Sequence, residues 1–305
     1  MRRITTLLLV PVALAGSAAA AALLGEPPRA RAQTPAVEIG RVQKASYLPP
    51  GRGKDPLVVL ALGSDARPGV CMPVERCLAD SIHLITVNRK EGGATILGFP
   101  RDSYVNIPGF GQGKINEALH DGGPELVVRT VQELTGIPID YYLLTSFEGL
   151  PQMVREIGGL EVDVPYPMSD PSSGATFDEG PQVLEGGEIL AFSRNRKDTP
   201  NGDFSRSENQ GLVLLGALEQ LHEEFRKNPA VLFTWMVAGA QNMKANLSFA
   251  ELFDLALTAL TVQPDRVENV VAPGGIGMAG TASIVVLSES AEDIYRDLED
   301  DGLIG

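Results

Sequence analysis

The sequence predicts a layered α/β/α domain with a mixed central sheet, behind an N-terminal membrane segment. Short, continuous apolar runs such as residues 57–62 indicate strands that are buried on both faces. Segments with apolar residues at helical spacing alternate with these runs, and no repeat of fixed period is present. This alternation favours helices on both faces of one sheet, in which ligands usually bind at the ends of the strands.

Residues 1–32 are predicted to be a transmembrane anchor or a signal segment. Residues 4–25 carry no charge and are long enough to cross a bilayer as a helix. Residues 30–32, Ala-Arg-Ala, are similar to a signal cleavage site, so secretion after cleavage is the alternative to a single uncleaved span. Residues 33–54, rich in Pro and Gly, are interpreted as a linker, which leaves residues 55–305 as one extracytoplasmic domain.

The elements of this domain follow from periodicity and from helix stop signals such as Gly136. The predicted strands are residues 57–62, 81–88, 94–99, 139–144, 160–165, 266–272 and 283–287. The predicted helices are residues 124–135, 147–157, a helix from Ser205 onward, 230–240, 249–260 and 291–299.

Charge and cysteine usage narrow the function class. Lys plus Arg number 25 against 39 Asp plus Glu, a net charge of -14 that argues against nucleic-acid binding. The two cysteines, Cys71 and Cys77, lie close together in a chain predicted to be exported, and this pattern is typical of a disulfide. A metal site at these cysteines is disfavoured because no second cysteine pair exists.

Residues 191–210 concentrate arginine in an otherwise acidic chain. Arg206 and Gln210 are four apart near the start of a predicted helix, so they share one face. Arg194, Arg196 and Asp203 precede them in the segment. Helix N-termini favour anions and arginine binds phosphate bidentately, so the segment predicts a phosphate site. A solvated basic loop, with each arginine paired to a surface carboxylate, is the alternative.

Acidic and basic residues at the ends of predicted strands complete the candidate site. Asp65 and Asp80 flank the cysteine loop, and a pair of carboxylates suits Mg²⁺, which fills its shell with water and substrate phosphate. The alternative is that each aspartate forms a turn. Arg101 follows a buried strand, so its guanidinium is expected at the sheet edge, with an ion pair to Asp102 as the alternative role.

Four blocks, in order along residues 57–225, resemble the LytR–CpsA–Psr (LCP) family of bacterial cell-wall proteins. They are LALGSDARPG; ADSIHLITVN with GFPRDSYVNIPG; KINEALHDGG with ELTGIPIDYYLLTSFEGL; and AFSRNRKDTPNGDFSRSENQ. The resemblance implies an LCP-like fold and an extracytoplasmic phosphotransferase. Such an enzyme moves a glycopolymer from polyprenyl pyrophosphate at the membrane to peptidoglycan or another wall acceptor.

The same resemblance implies roles for individual residues. Asp65 and Asp80 match the aspartates that hold Mg²⁺. The catalytic set would be Asp65, Asp80, Arg101 and Asp203. The pyrophosphate would be bound by Arg67, Arg101, Arg194, Arg196, Arg206 and Gln210.

One position departs from the family pattern. The family usually has an arginine two residues before the second metal aspartate, and here that residue is Leu78, with Arg76 out of register. Two alternatives stay open beside the transferase, and the departure at Leu78 motivates the first of them. The protein would either bind polyprenyl pyrophosphate without turnover or hydrolyse it as a pyrophosphatase.

Overall fold

The computed structural model describes residues 55–305, and the predicted anchor and linker lie outside the described residues. Within the described part, no helix combines the length and the apolar character that a membrane crossing requires. The strands are β1 (Leu57–Ser64), β2 (Ala79–Asn88), β3 (Gly93–Gly98), β4 (Tyr104–Ile107), β5 (Gly111–Lys114), β6 (Tyr141–Ser146), β7 (Leu160–Val164), β8 (Met168–Asp170), β9 (Ala175–Phe177), β10 (Gly180–Leu184), β11 (Lys244–Ala245), β12 (Val267–Val271), β13 (Gly274–Ala279) and β14 (Ala282–Leu287). The helices are α1 (Glu117–Gly122), α2 (Pro124–Thr135), α3 (Gly149–Glu156), α4 (Gly186–Arg194), α5 (Asp203–Lys227), α6 (Val231–Asn242), α7 (Phe249–Ala259) and α8 (Glu289–Asp300).

A six-stranded mixed sheet, as predicted, forms the centre of the domain. Its strand order is β11-β6-β1-β2-β3-β12. Strand β1 runs antiparallel to β2 and parallel to β6, and β3 pairs antiparallel with β2 and parallel with β12. The register of β1 against β2 shifts between Gly63 and Ser64. This irregularity lies at the end of the sheet where the predicted site residues Asp65 and Asp80 are found.

Helices cover both faces of the sheet, so the layered α/β/α prediction is confirmed. Successive residues of a strand point to opposite faces. Leu60 and Leu62 of β1 therefore pack into the core shared with α1, α2 and α8. Leu57 and Val59 pack on the other face, where α5 contributes Leu218. A second core of β7, β10, α3 and α4 includes the fully buried Phe192, two residues before Arg194.

Two glycines allow α5 to lie close to its neighbours. A Cβ atom at Gly216 would overlap the carbonyl oxygen of Glu161 in β7, and one at Gly211 would overlap the Asn269 side chain on β12. At Gly216 the backbones of α5 and β7 are in direct contact, and at Gly211 the space is filled by the Asn269 side chain, which donates to the Glu208 carbonyl, so the N-terminal half of α5 is fixed between the two strands. The start of α5 carries Asp203 and Arg206, so this packing places both residues relative to the sheet.

A buried histidine joins β2 to α5 and gives the fold a pH dependence. His83 is fully buried, with Nε2 at 3.0 Å from the Ser207 carbonyl oxygen and Nδ1 at 3.0 Å from Ser81 Oγ. A carbonyl oxygen only accepts, so Nε2 carries the hydrogen and Nδ1 accepts from Ser81. Loss of hydration on burial lowers the pKa of His83 to about 4, although the bond to Ser207 opposes this shift.

We expect acidification to destabilise the protein through this histidine. The unfolded chain binds a proton near pH 6.5 and the folded chain only near pH 4, so His83 favours folding above pH 6.5, and this contribution is lost as the pH falls towards 4. The loss amounts to about 3 kcal/mol. Urea unfolding at pH 7 and pH 4.5 should show a smaller decrease for His83→Gln than for the unchanged protein. An equal decrease in both proteins would contradict this assignment.

Candidate anion-binding site

Asp80 lies at the centre of the candidate site, near the start of β2. Its side chain is only 5% exposed, and its Oδ1 accepts a hydrogen bond from Arg101 Nη1 at 2.6 Å. Arg206 Nη1, from the first turns of α5, lies 3.6 Å from the same oxygen. The segment that follows β3 and the long helix α5 therefore each contribute a guanidinium to one buried carboxylate.

Asp203, the first residue of α5, connects these side chains to Arg196 in the loop between α4 and α5. Its Oδ1 lies 3.2 Å from Arg206 Nη2 and 3.6 Å from Arg196 Nη1. Three arginines and two aspartates thus alternate in the order Arg101, Asp80, Arg206, Asp203, Arg196, and we call this chain of contacts the Arg–Asp network. The network has one more positive than negative charge, which suits an anionic ligand.

Burial and neighbouring charges act in opposite directions on two arginines of the network, Arg206 and Arg101. Burial lowers the pKa of Arg206, and like charges on Arg101 and Arg196 add to this effect, while Asp80 and Asp203 oppose it. Burial also disfavours charge on Arg101, but Asp80, Asp102 and Asp203 more than compensate and raise its pKa above the ordinary value. Arg101 Nε is 3.9 Å from Asp102 Oδ1, so the predicted alternative ion pair coexists with the contact to Asp80.

Two buried guanidinium donors in the network have no hydrogen-bond acceptor. Arg206 Nη2, despite its ion-pair distance to Asp203, and Arg101 Nε make no hydrogen bond within the described part of the chain. A buried donor without an acceptor costs free energy, and this cost is removed when a ligand supplies the acceptor. Phosphate oxygens are acceptors of this kind.

Gln210 fixes α5 to the site. Its Nε2 donates to the carbonyl oxygens of Asp80 and Ser193, both at 3.1 Å, and the residue is 8% exposed. The side-chain amide therefore links the strand that carries Asp80 with the helix that ends at Arg194. Both N–H donors of the side chain are used in these bonds, so in this conformation Gln210 has no donor left for a phosphate oxygen. Its predicted contact with phosphate stays a prediction.

Arg67 and Arg194, the two remaining arginines of the predicted set, both contact Phe147. Their Cζ atoms lie over the ring of Phe147, at 5.5 Å and 4.6 Å from its centroid. Neither forms an ion pair with a carboxylate of the described residues. A solvated basic loop would pair these arginines with surface carboxylates such as Glu188. Glu188 instead accepts a hydrogen bond from the Glu185 backbone at the start of α4.

Asp65 is fixed by backbone contacts at the base of the cysteine loop. Its N–H donates to the Leu78 carbonyl at 2.9 Å, and its Oδ1 accepts from the Leu78 N–H at 3.0 Å. Within the loop, Cys71 and Cys77 form the predicted disulfide. Arg76 donates to the Asp121 carbonyl at 3.1 Å, so in this conformation its guanidinium does not take the place of the arginine that Leu78 lacks.

The donor set around Asp65 and Asp80 is compatible with Mg²⁺. Each carboxylate makes its hydrogen bonds through Oδ1, and its Oδ2 makes none with the described residues. Residues 55–305 contain no group of three or more His, Cys, Asp or Glu side chains arranged to hold a metal. A cation here would therefore depend on water and phosphate oxygens for most of its ligands, as Mg²⁺ commonly does.

The sequence-based predictions gave no role to Asn116 or Phe147, although both lie in blocks that carry the family resemblance. The Asn116 carbonyl accepts from the Ala79 N–H at 3.1 Å, and its own N–H donates to the Arg101 carbonyl at 3.2 Å. Asn116 thus links the backbones beside Asp80 and Arg101. No spacing rule in the sequence indicates such a backbone contact.

Comparisons with known proteins agree on one family. The sequence matches the model of the LytR_cpsA_psr family over residues 29–299. The polyisoprenyl-teichoic acid–peptidoglycan teichoic acid transferase TagT of Bacillus subtilis is 32% identical over 256 residues, which cover 82% of this chain and 78% of TagT. The transferase of the same description, TagU, of Enterococcus faecalis is 36% identical over 206 residues, which cover 67% of this chain and 66% of TagU.

Solved structures extend the comparison to the fold. The structure of TagT bound to LI-WTA superposes with a TM-score of 0.67 at 28% identity, over 86% of this chain and 95% of that one. TagV of B. subtilis superposes with a TM-score of 0.70 at 25% identity, over 82% of this chain and 98% of TagV.

Proposed function

The chain belongs to the LytR_cpsA_psr family, and from this premise we propose that it is an extracytoplasmic phosphotransferase. It would move a glycopolymer from polyprenyl pyrophosphate to peptidoglycan or another cell-wall acceptor. The names of TagT and TagU, which describe transfer of teichoic acid from a polyisoprenyl carrier to peptidoglycan, support this substrate class. The observation that carries the proposal is the pair of buried arginine donors without acceptors in the Arg–Asp network.

The reaction is a displacement at the phosphorus next to the sugar. The acceptor hydroxyl oxygen forms a bond to this phosphorus, and the bond from phosphorus to the bridging oxygen breaks. Polyprenyl monophosphate leaves with the electron pair of that bond. Arg101 and Arg206 supply hydrogen bonds and positive charge to the phosphate oxygens, and fixed donors of this kind stabilise the charge of the transition state.

A base must accept the proton of the attacking hydroxyl, and the Arg–Asp network offers the carboxylates of Asp80 and Asp203. Asp203 is the better candidate because its closest arginine nitrogens lie at 3.2 and 3.6 Å. Asp80 accepts a much shorter, charge-assisted bond of 2.6 Å from Arg101 and also contacts Arg206, so its oxygen is already engaged by two guanidiniums. Asp65 and Asp80 are in addition the residues that would hold a cation.

We further propose Mg²⁺ as the cofactor, held by Asp65 and Asp80. When bound, the ion would neutralise part of the negative charge of the pyrophosphate. Asp65→Asn should therefore weaken Mg²⁺ binding at least about tenfold, measured by titration calorimetry with pyrophosphate present. Asp293→Asn, at an exposed position of α8, is the matched control and should bind as the unchanged protein does. Equal Mg²⁺ affinity in Asp65→Asn and the control would contradict the assignment.

Leu78 favours a second candidate, a protein that binds or hydrolyses polyprenyl pyrophosphate. Its side chain cannot donate to phosphate, whereas the family usually has an arginine at this position. Release of polyprenyl phosphate, measured with and without a peptidoglycan acceptor, separates the possibilities. A transferase releases it only with the acceptor, a pyrophosphatase releases it without one, and a binding protein releases none.

We propose that the domain, residues 55–305, acts at the outer face of the membrane, anchored through residues 1–32 and a linker of residues 33–54. The uncharged run of residues 4–25 supports this location, since it is long enough to span a bilayer. Protein isolated from cell membranes is expected to retain its N-terminal segment in mass spectrometry. A mature N-terminus at Gln33 would show that the segment is a cleaved signal.

A further inference from the structure

We propose that Phe147 is a positioning residue, which holds Arg67 and Arg194 as a clamp that favours a diphosphate over a monophosphate. The inference rests on the proposed function, because it concerns the group that links polymer and lipid. Phe147 itself would make no bond to the reacting atoms and would act through the two guanidiniums above its ring.

The two arginines reach one ring from separate parts of the fold. Arg67 follows β1, and Arg194 is the last residue of α4. Phe147 directly follows β6, and its N–H donates to the Ser64 carbonyl at the end of β1 at 3.2 Å. Ser64 is in turn fully buried, with its Oγ bonded to the Val74 carbonyl at 2.7 Å. The ring is thus attached to the rigid end of the central sheet.

The contact with the ring restricts the guanidiniums without using their hydrogen-bond donors. The face of an aromatic ring is negative and attracts a cation within about 6 Å of the centroid. Both distances, 5.5 Å and 4.6 Å, lie inside that limit. A neutral ring cancels no charge, whereas a carboxylate partner would cancel charge and occupy the N–H groups. No carboxylate among the described residues therefore offsets the charge of Arg67 or Arg194, and their donors stay available for a ligand.

The arginines of the site consequently fall into two classes. Arg101, Arg196 and Arg206 share two aspartates in the Arg–Asp network, while Arg67 and Arg194 lack a carboxylate among the described residues. Since both of the latter contact the same ring, two positive charges that no described carboxylate offsets are concentrated at Phe147. A ligand with two adjacent phosphoryl groups would offset both charges, whereas a monophosphate offers oxygens on one phosphorus only.

Titration calorimetry with inorganic pyrophosphate and with inorganic phosphate tests the clamp. Phe147→Leu should raise the Kd for pyrophosphate about tenfold, since two cation–π contacts are lost, and should change the Kd for phosphate much less. Phe147→Tyr keeps the ring and should bind both anions as the unchanged protein does. Phe147→Met, which removes the ring but retains more length, provides a second test if the Leu variant does not fold.

Phe233→Leu, at a 64% exposed position on α6, is the matched control and should alter neither affinity. The clamp is refuted if the variants without a ring bind pyrophosphate as tightly as the unchanged protein. It is also refuted if they lose affinity for both anions by the same factor, which indicates a general structural role. Failure of the unchanged protein to bind pyrophosphate at all would instead refute the proposed function.

Discussion

Arg206→Ala is expected to lower the rate of transfer strongly and to destabilise the fold. The side chain is almost completely buried and contacts both Asp80 and Asp203, so its removal leaves the buried Asp80 and the partly buried Asp203 short of a cation. The loss of one partner from a buried ion pair costs about 3–5 kcal/mol of folding stability. The loss of a fixed donor at the phosphate lowers kcat about 100-fold to 1,000-fold.

Arg206→Lys separates these two effects. Lysine keeps one positive charge but lacks the planar fork with which Arg206 reaches both aspartates. Denaturant unfolding should therefore show a smaller loss of stability than for Ala, while the rate of polyprenyl phosphate release stays far below that of the unchanged protein. Arg296→Ala, at a 72% exposed side chain on α8, is the control and should change neither quantity. Near-normal turnover by the Lys variant would contradict a role for the fork in phosphate binding.

Asp80→Asn is expected to separate binding from catalysis. The change keeps the shape of a side chain that is 5% exposed but removes the charge between Arg101 and Arg206. Both guanidiniums then lose a competing anion, so the affinity for pyrophosphate without metal should stay equal or increase. Transfer should fall by at least about 100-fold, since the carboxylate proposed to hold the cation is lost.

The two measurements on Asp80→Asn are calorimetric binding of pyrophosphate and the rate of lipid phosphate release with the acceptor present. Asp293→Asn serves as the control for a charge change at an exposed position outside the Arg–Asp network. Transfer at the unchanged rate would show that Asp80 is a structural partner of Arg101 only. Loss of pyrophosphate binding together with transfer would show that Asp80 mainly positions the arginines.

Long apolar patterns in the sequence predicted the central strands and most helices well. Short polar elements such as β5 were not predicted. The strands at the centre of the sheet are continuous apolar runs, and β1, β2 and β3 formed close to the predicted positions. Strand β5 reads Gly-Gln-Gly-Lys and has no apolar alternation, so only its pairing with β4 makes it a strand. Helix α4 begins with two glycines, which are poor helix formers, and its capping box uses Glu185, a residue that the usual N-cap preference does not include.

At the site, the sequence indicated which residues matter but not how they pair. The positions of Arg206 and Gln210 on one helix could be inferred from their spacing, and both lie beside Asp80 in the structure. The sharing of Asp203 between Arg196 and Arg206 depends on the path of the loop before α5, which no local pattern encodes. The contact of Phe147 with two arginines likewise depends on three segments that are distant in sequence, namely the residues after β1, the residues after β6 and the end of α4.

The products of the reaction test the central claim most directly. The protein would be incubated with a glycopolymer on polyprenyl pyrophosphate and a peptidoglycan acceptor, and both products identified by mass spectrometry and phosphorus NMR. Attack at the phosphorus next to the sugar predicts polyprenyl monophosphate and an acceptor joined to the polymer through a phosphodiester. Release of polyprenyl diphosphate with a glycosidic bond to the acceptor would contradict phosphotransfer and the roles proposed for Arg101, Arg206 and Asp203.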